Sequence, residues 1–95
     1  MIDAKRADEI AESWLAAHGE AIGEELAWSG GPSDHDIGWL YVWNSRRYVD
    51  TGDFMTALMG NAPIVVLRTT GEVHSLPTGI DIDDGLQQLR NSLER

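Results

Sequence analysis

The sequence predicts a small α+β domain, in which helices pack on an antiparallel sheet of about four strands. Three observations support this fold class. The first and last segments carry apolar residues at helical spacing, the middle holds two strongly apolar strand patterns, and a Thr-Gly-Glu turn joins two short strands as a hairpin. Because a hairpin makes its strands antiparallel, the predicted order is α-β-β-α-β-β-α within one domain of residues 1–95.

The first helix is predicted over residues 2–18, followed by a strand and a loop. Apolar residues recur at spacings of three and four, and Gly19 is the expected end of the helix. Residues 24–29 alternate weakly, which favours a strand. Residues 30–36 are rich in Gly, Pro, Ser and Asp, which is typical of a mobile loop.

Residues 38–44 give the strongest strand pattern in the chain. Trp39, Tyr41 and Trp43 fall on one face, and the aliphatic residues between them fall on the other. Since the chain has few other large residues, the aromatic row is interpreted mainly as core. The alternative is an adhesive patch, with one sheet face completed by a partner or a second copy.

A short helix is predicted within residues 51–60. Thr51 or Asp53 would act as its N-cap, and Gly60 would end it.

Two further strands and a helix complete the predicted fold. The β-branched run 64–67 is typical of a central strand, and Pro63 suits its first position. Residues 73–76 form its hairpin partner. The last helix is capped by Asp81 or Asp83 and carries leucines at spacings of three and four.

Composition excludes several function classes. The 95 residues include no cysteine, which excludes disulfides, a thiol nucleophile and cysteine-ligated metals. A net charge of −9 disfavours nucleic-acid binding, because a polyanion repels phosphates. A charged N-terminus and the lack of a long apolar run predict neither a secretory signal nor a membrane partner, and hence a cytoplasmic location.

The acidic residues are concentrated in the first third of the chain. Residues 1–36 hold nine acids and two bases, a balance that would steer a basic partner toward this region. The expected partner-binding residues are Glu24, Glu25, Asp34 and Asp36, with exposed members of the aromatic row as possible anchors.

Catalytic and metal-binding patterns are weak. His18 is interpreted as a helix-end residue that favourably meets the helix dipole, and His74 as a surface neighbour of Glu72. The segment 34–36 (Asp-His-Asp) is more typical of a solvated turn than of a metal site. No cofactor, metal or catalytic residue is therefore predicted, although a small hydrolase using carboxylates or His74 remains an alternative.

The middle of the chain resembles the immunity protein 35 family, also called YrhB-like. The resemblance covers about residues 38–90. It is carried by the aromatic strand and by three short motifs in order: Thr51-Gly52-Asp53, Gly60-Asn61-Ala62-Pro63 and Thr70-Gly71-Glu72. It implies a small bacterial cytosolic α+β protein that binds and neutralises a cognate toxin of a polymorphic toxin system, without catalysis.

Two hypotheses of function follow. The first is an immunity protein that occludes a toxin with a basic surface by stoichiometric binding. The alternative is a stress-linked, chaperone-like module that holds partly unfolded clients on an apolar sheet face. The shared motif residues are expected to be structural: Gly52, Asp53, Gly60, Asn61 and Pro63. A monomer and a homodimer both remain open.

Overall fold

The computed structural model describes residues 1–58 and 61–94 and confirms the α+β class with the predicted element order. The helices are α1 (Ala4–Ile22), α2 (Arg46–Thr51) and α3 (Ile82–Leu93). The strands are β1 (Leu26–Asp34), β2 (Gly38–Ser45), β3 (Ile64–Leu67) and β4 (Val73–Ser75). A one-turn 3₁₀ helix, here called the 54–56 turn, covers Phe54–Thr56.

The four strands form one antiparallel sheet in the order β1-β2-β3-β4. In the register of β2 and β3, Trp39 lies opposite Val66, and Tyr41 lies opposite Ile64. Opposed residues in a sheet point to the same face, so this register aligns the aromatic residues of β2 with the aliphatic residues of β3.

The two faces of the sheet are covered by different helices. One cluster joins α1 to the aromatic face, and its buried members are Ala7, Ala11, Trp39, Tyr41, Ile64 and Val66. The other cluster joins α3 to the opposite face, and its buried members are Leu40, Val65, Leu67, Leu76, Leu86 and Leu89. The chain thus covers both faces of its central strands itself, which corrects the alternative in which another molecule completes one face.

Helix α1 does not stop at Gly19, as the sequence predicts, but continues to Ile22. Gly19 is buried, and a Cβ at this position would lie 2.7 Å from the carbonyl oxygen of Glu24. The glycine therefore permits a close approach between the helix and the turn that follows it. The helix ends instead at Gly23, which adopts a left-handed conformation with φ of 72°.

Strand β1 extends through most of the predicted loop 30–36. Two register shifts, between Trp28 and Gly30 and between Gly30 and Ser33, accommodate the turn-forming residues within the strand. Because β1 lies at the edge of the sheet, Pro32 is tolerated there without loss of a ladder hydrogen bond to a further strand.

The predicted short helix is displaced toward the N-terminus. Helix α2 begins after Ser45, and Thr51 is its last residue and not its N-cap. Gly52 ends it with φ of 70°. Asp53 caps the 54–56 turn, because its carboxylate accepts a hydrogen bond from the Met55 N–H at 3.0 Å.

The remaining residues of the Gly60-Asn61-Ala62-Pro63 motif lie between the 54–56 turn and β3. Gly60, the predicted end of the short helix, lies outside the described residues. The Asn61 side chain donates a hydrogen bond to the Trp43 carbonyl, while the Trp43 indole donates to the Ala62 carbonyl at 2.8 Å. Pro63 directly precedes β3, and its carbonyl accepts from Leu76 N–H at 2.9 Å.

Polar side chains at the end of β2 hold the segment that contains the 54–56 turn. The Ser45 hydroxyl is fully buried, accepts from Tyr48 N–H at 3.1 Å and donates to the Thr56 carbonyl at 2.7 Å. The side-chain oxygen of Asn44 accepts from Leu58 N–H at 2.8 Å. This part of the chain is thus fixed to the sheet by hydrogen bonds.

We expect Ser45→Ala to lower the free energy of unfolding by about 2 kcal/mol, because it removes a helix cap and leaves a partly buried carbonyl without its donor. Urea denaturation measures this change. The matched control is Ser92→Ala on the exposed surface of α3, where a change within about 0.5 kcal/mol is expected. Equal unfolding free energies for the two variants would contradict the assigned role of Ser45.

Candidate partner-binding surface

An acidic groove lies between the C-terminal half of α1 and the start of β1. It encloses about 450 Å³. Its carboxylates belong to Glu12, Glu20, Glu24 and Glu25, and its other lining residues are Leu15, Ala16, Gly19, Gly23 and Leu26. The groove therefore combines four acidic side chains with apolar surface.

The tight turn after α1 brings these acidic residues together. Gly23 N–H donates to the Glu20 carbonyl at 3.3 Å, and Glu24 N–H donates to the Gly19 carbonyl at 3.0 Å. This reversal folds Glu24 back beside the last turn of α1. Glu12 and Glu20 are eight residues apart on the helix, so they share one face.

Two of the four carboxylates have internal partners. Glu12 accepts a hydrogen bond from the Trp28 indole at 2.6 Å, and Glu25 lies 3.1 Å from the Arg46 guanidinium. Within residues 1–58 and 61–94, neither Glu20 nor Glu24 takes part in a salt bridge.

The position of Glu20 is electrostatically unfavourable in the free protein. It lies in the last turn of α1, where the helix dipole is negative and where the helix carries no basic residue. A cation from outside the chain would relieve this repulsion. The groove is therefore suited to a positively charged side chain.

The structure separates the four acidic residues predicted to bind a partner. Glu24 and Glu25 lie in the acidic groove, just before β1 begins. Asp34 and Asp36 lie at the far end of β1, separated from the groove by roughly 25 Å of extended chain. The four residues therefore do not form one continuous acidic patch.

Asp34 and Asp36 both form ion pairs within the protein. Asp34 pairs with Arg68, whose guanidinium also lies 4.3 Å from the Trp39 ring centroid. Asp36 accepts hydrogen bonds from Arg90 at 2.7 and 3.0 Å, and this arginine lowers the pKa of the Asp36 carboxyl. These acids tie the β1–β2 turn to the end of β3 and to α3, so their charges are compensated internally.

The aromatic row of β2 lies in the core. Trp39, Tyr41 and Trp43 are 6%, 2% and 5% exposed, so they offer almost no surface to a partner. Their expected use as partner anchors is corrected accordingly. The Tyr41 hydroxyl donates to Asp8 at 2.6 Å, and burial together with this carboxylate raises the pKa of Tyr41.

His18 and His74 lie in different elements of the fold, α1 and β4. His18 lies one turn before the end of α1 and stacks on Trp14, with ring centroids 4.7 Å apart. His74 Nε2 lies 4.0 Å from the Glu72 carboxylate on the edge strand β4. Among the described residues, no group of three or more His, Asp or Glu side chains is placed to hold a metal ion.

Sequence reasoning missed four exposed residues. Glu12 and Glu20 are assigned no binding role by the sequence, although the fold places both in the acidic groove. Phe54 and Met55 fall inside the predicted short helix, yet the structure leaves them 78% and 91% exposed. The spacing Glu20-x-x-x-Glu24-Glu25 around Gly23 is a signal that could have indicated the groove.

These features define a small α+β protein with a surface suited to protein binding. The family model described as immunity protein 35 matches residues 5–84. The chain belongs to the immunity protein 35 family, which confirms the resemblance seen in the sequence.

The chain is 38% identical over 50 residues to a protein of Escherichia coli (strain K12) described as uncharacterized protein YrhB. The match spans 53% of this chain and 53% of that protein, or about half of each. No solved structure shows significant similarity to the chain. In the described parts of the chain, none of the helices has the length and apolar character needed to cross a membrane.

The ion pair of Asp36 with Arg90 predicts a pH dependence of stability. Because the pKa of Asp36 is lowered on folding from its usual 3.8, its contribution is present above about pH 4 and is lost as the pH falls through the lowered value. We expect Asp36→Asn to be less stable than the wild type at pH 7, and the difference to shrink toward pH 2. Urea denaturation across this range measures it, and a difference independent of pH would contradict the prediction.

Proposed function

We propose that this protein binds and neutralises a cognate toxin of a bacterial polymorphic toxin system by stoichiometric occlusion, without catalysis, in the cytoplasm of the producing cell. The observation that carries this proposal is the acidic groove, where the exposed Glu20 and the half-buried Glu24 lie beside the negative end of α1. Membership of the family supports a protein toxin as the partner. The carboxylates of the groove support recognition of a basic side chain on that toxin.

The groove suits an arginine or lysine of the toxin. Carboxylates form charge-assisted hydrogen bonds with a guanidinium or ammonium group. The aliphatic part of such a side chain would pack on Leu15 and Leu26, which line the same groove. A volume of about 450 Å³ is ample for one long side chain.

The overall charge supports rapid association with such a partner. The chain carries a net charge of −9, and opposite charges on two proteins raise their rate of encounter. At physiological ionic strength this attraction is screened over about 8 Å, so the acids nearest the contact dominate it. The groove therefore contributes mainly to the association rate.

The chaperone-like alternative has less support. It requires an apolar sheet face that clients can reach, whereas α1 and α3 cover the two faces of the central strands. The hydrolase alternative uses carboxylates or His74, but within the described residues His74 has only Glu72 as a close acidic neighbour, at 4.0 Å from its Nε2. Toxin binding is consequently the function best supported.

We expect the double variant Glu20→Gln, Glu24→Gln to associate about tenfold more slowly with the toxin domain encoded at the same locus, inactivated by mutation. Stopped-flow fluorescence at 20 mM salt, on the order of a 20 Å screening length, measures this rate. The difference should largely disappear at about 0.5 M salt, where the charges are screened.

The matched control is Asp83→Asn, Asp84→Asn, which removes the same charge from the first turn of α3. This control should slow association by less than about threefold, as expected for charges that are distant from the groove and screened by salt. An equal slowing by both variants would show that net charge acts without a specific groove. The absence of any complex between the wild-type protein and the toxin domain would overturn the proposed function.

A further inference from the structure

The 54–56 turn exposes two large apolar side chains. Phe54 is 78% exposed and Met55 is 91% exposed. Among the described residues, every other exposed large apolar side chain after Met1 keeps at least half of its surface covered. Phenylalanine and methionine are enriched where proteins bind each other, and adjacent exposed examples mark an interaction surface.

The backbone beneath these side chains is held by hydrogen bonds. Asp53 caps the turn through Met55 N–H, and its carbonyl accepts from Thr56 N–H at 2.9 Å and from the Thr56 hydroxyl at 2.7 Å. The Thr56 carbonyl in turn accepts from the buried Ser45 hydroxyl. The turn therefore presents Phe54 and Met55 in a preorganised position, which reduces the entropy lost on binding.

Acidic residues precede the turn in the chain and lie beside α2. A second surface depression, of about 430 Å³, lies between α2 and the turn after α1. It shares Glu24 and Glu25 with the acidic groove and adds Asp50 of α2. Asp53 precedes the exposed pair directly. The two bases of this depression are Arg46 and Arg47, of which Arg46 is paired with Glu25 and Asp50.

We infer that Phe54 and Met55 are the apolar anchors of the toxin complex and enter an apolar pocket rimmed by basic side chains. This inference rests on the proposed function and names the part of the surface that holds the partner. The shared residues Glu24 and Glu25 connect the acidic groove to the depression beside α2, and the last residue that lines this depression, Thr51, lies three positions before Phe54.

Charge complementarity selects this partner over a second copy of the chain. Two copies meeting through this surface would bring together, from each chain, the four acidic side chains Glu24, Glu25, Asp50 and Asp53 against only two bases, Arg46 and Arg47. Like charges across an interface are strongly unfavourable. A basic rim on the toxin would instead pair with these carboxylates while the apolar side chains are buried.

The test measures the affinity of the inactivated toxin domain from the same locus for variants of the full chain, by calorimetry. Phe54→Ser, Met55→Ser should weaken binding by at least about 30-fold, as expected for central anchors. The control Ile82→Ser, Leu93→Ser changes two partly exposed residues of α3 and should weaken it less than about threefold. Thermal unfolding verifies that each variant is folded.

A second pair of variants tests the chemistry of the rim. A basic rim predicts that Met55→Lys weakens binding about tenfold more than Met55→Glu, because only lysine introduces a like charge. Both substitutions place a long polar side chain at the same exposed position. Equal losses for the two variants would overturn the basic rim.

The possible outcomes separate the inference from the proposed function. If the wild type binds the toxin domain and the serine variant binds equally well, the inference fails and the proposed function stands. If the wild type forms no complex, the proposed function fails and the inference fails with it. Light scattering that shows a wild-type dimer converted to a monomer by the serine variant would assign the surface to self-association and overturn the inference.

Discussion

The close pairing of β2 with β3 between two helices is the constraint on which the structure depends. At Gly38, a Cβ would lie 2.1 Å from the Val66 carbonyl oxygen, so the two strands meet where only glycine fits. From this point the alternation of β2 sends Trp39 and Tyr41 toward α1 and sends Leu40 toward α3. Each helix thereby buries one face of the same strand pair. The aromatic residues of β2, which could have formed a binding patch, are buried in the core. Charged side chains and the connecting segments therefore form the surface on which recognition depends.

Polar contacts then fix the connections to this core. Arg90 of α3 donates three charge-assisted hydrogen bonds to Asp36, which links α3 to the β1–β2 turn. At the opposite end of β2, Ser45 and Asn44 hold the backbone around the 54–56 turn. Because these groups are satisfied within the chain, the segments between the regular elements have defined positions. A surface that includes such segments can therefore be preorganised for a partner.

The accuracy of the sequence-based prediction follows the range of the interactions that shape each element. Local sequence patterns are sufficient to predict β2, β3, the hairpin partner of β3 (β4) and α3. They fail at Gly19, where a close tertiary approach and not a helix stop explains the glycine, and at β1, where bulges place Pro32 in an edge strand. The site follows the same rule. Glu24 and Glu25 were predicted from charge alone, whereas the partners that compensate Asp34 and Asp36 lie 34 and 54 residues away and leave no local signal.

The acidic groove and the exposed pair Phe54 and Met55 contribute to different steps of binding, which explains why both are needed. Exposed carboxylates such as Glu20 contribute little to equilibrium affinity, since water and salt screen each ion pair to about 1 kcal/mol or less. They act over several ångströms and so guide the approach of a basic partner. Burial of Phe54 and Met55 acts only at contact, but it gives about 1.5 to 3 kcal/mol for each side chain and is insensitive to salt. Charge alone would yield a fast but short-lived complex, and apolar contact alone would yield a stable complex that forms slowly. A protein that occludes a toxin by binding requires a complex that forms fast and also lasts.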